Sequence, residues 1–426
     1  MEELLRARLL LLLPTHTYRA DGFVDATKRL GVELTVASEV PSALEEGQGQ
    51  GHATELLTLE LDNPEAAVAA TIAFAKRCPI SAVIGPDDDT VVLAAILSSE
   101  LGLAANPVSA VQAARSKILQ RERLRDSGVP VPDFRVHSLG ADPGAAASAA
   151  PYPCVLKPIS LSASRGVIRA NDPDEFLAAH ARLRAILESE AADGGGGSQV
   201  KDQQYLVERY VPGPEYAVEG LIVDGGLHIL AVFDKPDPLE GPFFEETIYV
   251  TPSRADSRVQ NSLVDATGRA ATALGLVTGP VHAELRYSDG GPWLIELAAR
   301  PIGGKCSRVL RFGDESEYSL EDVIVGHTVG VMREIPPREE CAAGVMMIPI
   351  PAAGTLEKVT GVEAAEAEPG VEEVLITAHR GQELVPLPEG SRYLGFIFAR
   401  ADTPELVESS LRRAHEKLEI RVSGKQ

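Results

Sequence analysis

The sequence predicts a multidomain protein of mixed α/β and α+β class. It has an N-terminal parallel α/β domain, a middle region of antiparallel sheets, and a small C-terminal α+β unit. Three observations lead there. The 426 residues exceed what one ordinary hydrophobic core organises. Roughly the first 110 residues alternate apolar runs with amphipathic stretches, the rhythm of a parallel sheet covered by helices. Farther on, strand-like runs are joined at Asp224-Gly225-Gly226 and Asp289-Gly290-Gly291, a signal for antiparallel hairpins.

In the N-terminal region, RARLLLLL reads as a strand, GFVDATKRLG as a helix ending at Gly31, and VELTVAS as a second strand. NPEAAVAATIAFAKR is a helix with Pro64 near its start; the strand ISAVIGP and the helix DTVVLAAILSSELG follow. Asp87, Asp88 and Asp89 precede that helix and are expected to cap it, because acids favour a helix N-terminus. The opening LLRARLLLLLP lacks a small-residue cleavage site, so a core strand is expected there and not a secretory leader. No G-x-G-x-x-G follows the first strand, which disfavours a dinucleotide site.

A single helix is expected over SAVQAARSKILQRERLRDSG, ending at Gly128, and a small-residue linker then leads to the strand CVLKPI. The four glycines of ADGGGGSQVKDQ predict a flexible segment. QYLVERYV, EYAVEGLIV, LHILAVFDKPD, VHAELRY and PWLIELAAR read as strands, with a helix over NSLVDATGRAATALGL. From about Ala342 the last unit carries strands AGVMMIPIP and GFIFARA and a closing helix TPELVESSLRRAHEKL.

Composition excludes some function classes. The formal charge of −22 repels nucleic acid, and no run of eighteen apolar residues suggests a membrane span. Four cysteines without C-x-x-C spacing fit neither a zinc site nor a disulfide framework. Reduced, mostly core thiols in a cytoplasmic protein are expected.

The hairpin VHAELRYSDGGPWLIELAARPIGG holds the first chemical clue. A three-residue loop of Asp289, Gly290 and Gly291 would pair Ser288 with Pro292. Glu284 would then stand directly opposite Glu296, His282 opposite Ala298 and Arg286 opposite Leu294. Like charges so placed repel, unless a divalent cation sits between them; Mg²⁺ takes one or two carboxylates together with phosphate oxygens. A two-residue loop would send the glutamates to opposite faces.

Other stretches fit a phosphate ligand. Lys157 ends a strand in VLKPI, and SLSASRG after it is a small-residue loop able to cover phosphates with backbone N–H groups. Lys117 sits on a helix, where read alone it is a solvated surface lysine. In LVERYVPGPEYAVEG, the extended segment at Glu208 could offer backbone atoms to a base edge and Glu215 a carboxylate to a ribose; read alone, an ordinary strand–turn–strand is the favoured reading.

Taken in order, these pieces resemble the ATP-grasp superfamily, over nearly the whole chain, and within it the L-amino-acid ligase branch and its biotin-carboxylase-like relatives. The resemblance implies an N-terminal α/β domain over 1–112 and an ATP-grasp core with antiparallel sheets. That core comprises a lid subdomain over 113–205 and a large subdomain over 206–335; a ligase-type α+β domain over 336–426 follows. It implies ATP and Mg²⁺, with Mn²⁺ as a substitute. Lys117 and Lys157 would contact phosphates, with Ser162, Ser164 and Gly166 in the lid. Arg209 and Val211 would offer backbone groups to adenine, Glu215 would take the ribose, and Glu284 and Glu296 the metal. Many relatives carry a metal-ligating asparagine where this chain has Ala298, which leaves the second metal open.

The chemistry so implied joins a carboxylate to an amine through an acylphosphate, with small-molecule substrates and a homodimer as the expected assembly. Arg300, an always-charged planar donor, suits the acylphosphate and the oxyanion of the second step, or a structural ion pair with Glu296. Gly303 and Gly304 would let backbone approach substrate, and Arg308 would add charge. His282 is a candidate base, a substrate contact, or a hydrogen-bonded core histidine. In GPFFEETIYV, Glu246 beside aromatics suits a substrate ammonium, with an exposed loop charge as the alternative. Two rival readings stand: a bicarbonate-activating enzyme like biotin carboxylase, and a non-catalytic ATP-binding regulatory protein.

Overall fold

A computed structural model describes residues 7–14, 17, 19–39, 55–192 and 203–424. The N-terminal sheet contains β1 (Arg8–Leu12), β2 (Glu33–Ser38), β3 (Glu55–Thr58) and β4 (Ala82–Ile84), parallel and in the order β3-β2-β1-β4. The sequence reading missed β3, a short edge strand whose four residues carry little burial pattern. The expected LLLLL run is indeed a buried core strand. The helix Ala20–Leu30 stops at Gly31, whose left-handed φ of 64° lets its amide donate back to Lys28 and Thr27. The four-glycine segment lies outside the described residues.

The helix expected over 109–128 is broken. Ser116 is extended, with ψ 111°, and separates Val108–Arg115 from Lys117–Asp126; its side chain accepts from the Leu119 amide. Serine wins here as an N-cap because its oxygen satisfies a donor that the helix cannot. That break places Lys117 in the first turn of the second helix.

Next comes a four-stranded antiparallel sheet of β5 (Phe134–Ser138), β6 (Cys154–Pro158), β7 (Ile168–Ala170) and β8 (Gln204–Arg209), ordered β5-β8-β6-β7. Its apolar residues, from Leu139 to Val207, form a cluster of their own with the helix Pro173–Ala192.

The largest sheet has eight strands. It starts with β9 (Glu215–Val223), β10 (Gly226–Lys235), β11 (Ile248–Thr251), β12 (Gly279–Ser288) and β13 (Gly291–Ala298), in the order β13-β12-β9-β10-β11. It continues through Ala342–Ile348, Gly395–Ala401 and Val371–Ile376. One sheet therefore crosses from the middle region into the C-terminal segment. A single apolar cluster likewise draws on Leu9, Phe23, Ala217, Phe233, Val323, Val345 and Phe398. The four cysteines are free thiols, Cys154 and Cys306 buried, Cys78 and Cys341 half-buried.

The glutamate hairpin differs from expectation in an instructive way. Its loop has two residues, Asp289 at φ 52° and Gly290 at φ 75°, so Ser288 pairs with Gly291 and Arg286 with Trp293, not Leu294. Left-handed Asp-Gly is the usual chemistry of a two-residue hairpin turn. The ladder then slips at Ile295, and beyond this β-bulge Glu284 faces Glu296 and His282 faces Ala298. The bulge restores the alignment that the short turn removed.

Candidate active site

Between the two antiparallel sheets lies a cavity of about 740 Å³ including its open mouth, a size suited to a small-molecule ligand. Eleven residues singled out from sequence line it: Lys117, Lys157, Ser162, Ser164, Glu208, Arg209, Val211, Glu215, Glu246, Glu284 and Glu296. Pro132, Val155, Leu161, Leu239 and Phe244 supply apolar wall.

Both lysines line the cavity. Lys117 is not the solvated lysine its helix suggested: its Nζ donates to the Leu161 carbonyl at 2.5 Å, and burial holds its pKa below the ordinary value. Lys157 Nζ meets Glu208 Oε2 at 2.7 Å, while Arg121 Nε reaches Glu208 Oε1 at 2.6 Å. Burial pushes the Glu208 carboxyl up, but those two cations outweigh it and hold the group down at about 2. Arg121 also donates to the Ile295 carbonyl in the bulge. The loop above, Leu161–Gly166, bends through left-handed Ala163 and Ser164, at φ 54° and 56°. Such angles are costly for non-glycine residues and mark a backbone shaped for a purpose.

Gly166 itself does not line the cavity. It packs on Pro158 and Leu183, and its amide donates to the Pro388 carbonyl.

The hinge between β8 and β9 is tightly bonded. The Arg209 amide donates to Asp133, and the Val211 carbonyl accepts from Arg286 Nη1 at 2.8 Å. Arg286 Nε holds Glu215 Oε2 at 2.7 Å, and its guanidinium stacks against Tyr210 and Phe244. The sequence reading missed Arg286 as a site residue, although its place two residues after Glu284 put it on the same strand face.

Lys235 was also missed. Its Nζ contacts Glu215, Glu246 and Glu284 at 2.8, 2.6 and 3.0 Å. Glu246 is thus drawn into the cavity and is no exposed loop charge; burial, only partly offset by Lys235, raises its carboxyl to about 7. Glu284 is held well below the usual range, since Lys235 and His282 outweigh its burial. Among the described residues Glu296 makes no hydrogen bond or ion pair within the protein, and its field reaches Lys117. Two opposed carboxylates, one with no protein partner, beside lysines and an apolar slot form a donor set that fits Mg²⁺ carrying a nucleotide's phosphates.

The remaining candidates lie off the cavity wall. His282 is 7% exposed, with Nδ1 3.3 Å from the fully buried Glu219 and Nε2 3.5 Å from Glu284. Burial lowers its pKa, but the two flanking carboxylates outweigh that and raise it. Arg300 pairs with Asp88 at 2.8 Å and not with Glu296. Arg308 is exposed, over the Phe398 ring and paired with Glu373. Gly303 and Gly304 sit before the short turn Cys306–Val309, Gly304 at φ 58° against Met347. The three aspartates do not cap the next helix, whose N-cap is Thr90; they pair instead with Arg19, Arg300 and Arg115. Arg19 and Arg300, from separate segments, hold Asp87 and Asp88 more firmly than one helix end does, whereas the Asp89 pair is longer and exposed.

The chain matches the ATP-grasp domain over residues 150–309 and the L-amino acid ligase C-terminal domain 2 over 346–423. It is 24% identical over 419 residues to the uncharacterized protein y4rH of Sinorhizobium fredii, covering 98% of this chain and 84% of that one. It is 30% identical over 251 residues to carnosine synthase 1 of Mus musculus, covering 57% of this chain but 30% of the synthase. The crystal structure of L-amino acid ligase from Bacillus licheniformis superposes with a TM-score of 0.79 at 25% identity, covering 98% of this chain and 99% of that one. Among the described residues no helix is long and apolar enough to cross a membrane.

Proposed function

We propose that the chain is an ATP-grasp carboxylate–amine ligase that joins an amino acid or another carboxylic acid to an amine or amino acid through an acylphosphate, releasing ADP and phosphate. One observation carries this reading: Lys117 and Lys157 line the same cavity as the opposed Glu284 and Glu296. Polyphosphate with a divalent ion satisfies both the cations and the carboxylates at once.

In this reading the lysines hold phosphate oxygens, and the loop Leu161–Gly166 covers them with Ser162, Ser164 and backbone amides. The Arg209 carbonyl and the Val211 amide face adenine, since their partner groups are already bonded. Glu215 orients the ribose while tied to Arg286. Mg²⁺, bound at Glu284 and Glu296, would supply charge neutralisation for phosphoryl transfer. His282 keeps the Glu284 carboxylate oriented and ionised. Arg300, aimed by Asp88, stabilises the acylphosphate and the oxyanion formed when the amine attacks. Positioning and electrostatics suffice for the first step, because phosphoryl transfer needs little covalent help from the protein.

The test is a screen of amino-acid pairs scored by phosphate release and product mass. ADP release that requires a free amino acid and an amine, with a condensed product, supports the reading. ADP release that needs bicarbonate and biotin instead, or ATP binding with no phosphate release under any mixture, refutes it.

A further inference from the structure

Three carboxylates converge in the cavity wall, from Glu215 on β9, Glu246 after β10 and Glu284 on β12. One oxygen of each lies within 4.8 Å of the other two. Such a cluster calls for a cation at its centre, and here a side chain of the chain itself provides it. Lys235 Nζ donates to Glu246 Oε1 at 2.6 Å, to Glu215 Oε1 at 2.8 Å and to Glu284 Oε1 at 3.0 Å. An ammonium has three N–H donors, so all three are spent on carboxylates.

The lysine is anchored along its length. It is the last residue of β10, stands opposite Glu215 in the β9–β10 register, and is only 6% exposed. Its head lies 4.9 Å from the centre of the Tyr249 ring, a favourable place for a desolvated cation.

Glu284 is where this cluster meets the glutamate pair. Its Oε1 already faces Lys235 and His282, whereas Glu296 across the ladder makes no bond within the described protein. Two residues beyond Glu296, on the same face of β13, Ala298 stands opposite His282 and offers no ligand atom. The chain thus carries a fixed ammonium among the carboxylates and lacks a side-chain ligand beside them.

We propose that the Lys235 ammonium is a resident cation of the active site that takes the place of one divalent ion, so that a single divalent ion enters with each nucleotide, at Glu284 and Glu296. This rests on the ligase reading above. A tethered cation cannot exchange with solvent, so it keeps the three carboxylates together before nucleotide arrives and leaves one metal position to fill.

The test counts bound Mn²⁺ by electron paramagnetic resonance on the full chain with a non-hydrolysable ATP analogue. Binding of the analogue itself is followed separately by calorimetry. One Mn²⁺ per chain is expected, and two per chain with Lys235 in place overturns the proposal. In Lys235→Met the count should rise from one to two, because the carboxylates lose their cation; a folded variant that still binds one Mn²⁺ also overturns it. Should Lys235→Met fail to fold, Lys235→Arg keeps the charge and should bind one, and the wild-type count decides alone. Failure to bind the analogue at all sinks the ligase reading, whereas two Mn²⁺ beside a bound analogue sinks only the role of Lys235.

Discussion

Glu284 and Glu296 stand directly opposite each other across β12 and β13, although the turn that joins those strands is one residue too short to align them. The bulge at Ile295 supplies the missing residue, and Arg121 binds the bulged carbonyl while also holding Glu208. The same arginine thus ties the Lys157–Glu208 pair to the bulge that precedes Glu296. A register error that would turn Glu296 to the other face is corrected within the strand itself.

Glu296→Gln should cut phosphate release by about 100-fold or more, because removing a metal-binding charge in a low-dielectric site costs several kcal/mol of transition-state stabilisation. Its melting temperature should barely move, since Glu296 gives up no ion pair within the described protein. Steady-state turnover beside calorimetric unfolding checks both halves. Near-normal turnover would count heavily against the metal assignment.

Arg300→Ala should abolish turnover while the ATP analogue still binds. Asp88→Asn, which leaves the guanidinium but removes its 2.8 Å anchor, should lower kcat by roughly 10-fold or more through lost orientation. If Asp88→Asn leaves kcat untouched, Arg300 is not aimed by the N-terminal domain.

Acid should weaken the fold through Glu208. Its carboxyl sits at about 2 in the folded chain against an ordinary 4.5, so the unfolded chain binds the proton first as pH falls. The stabilisation is complete above 4.5 and disappears as pH drops towards 2. At about 1.4 kcal/mol for each pH unit it amounts to about 3 kcal/mol. Denaturant unfolding from pH 6 down to pH 3 should show this loss in the wild type and a flatter profile in Glu208→Gln; equal slopes would contradict it.

Gly213→Ala should damage both stability and nucleotide binding. Gly213 has φ 102°, and a Cβ there would collide with the backbone carbonyl of Tyr287. The cost is expected to be about 2–4 kcal/mol, from a disfavoured backbone angle plus a displaced β12. Weaker binding of the ATP analogue should accompany it, because Glu215 and Arg286 flank the hinge. Unchanged unfolding and unchanged affinity together would show that the hinge tolerates the side chain.

Much of this was legible in the residue order. Apolar runs with glycine and proline punctuation located most strands and helices, since those signals are local. The edge strand Glu55–Thr58 was not, for it is mostly exposed and has no periodicity to betray it. The break at Ser116 was readable in principle, as serine before a polar helical run is an N-cap signal. Asp87, Asp88 and Asp89 looked like caps because their partners Arg19, Arg115 and Arg300 are scattered along the chain.

By itself the sequence determined the class of the fold, the parallel N-terminal sheet, the hairpins, and which lysines and glutamates line the cavity. Periodicity, turn chemistry and motif order act between near neighbours, and a chain carries them whatever its final shape. Only the tertiary structure decided that Lys235 sits among three carboxylates, that Arg286 stacks under the hinge, and that Ile295 bulges to bring Glu284 against Glu296. Each of those depends on side chains from different strands meeting in a buried, low-dielectric space. Charge pairing there is strong enough to choose partners that no spacing along the chain announces.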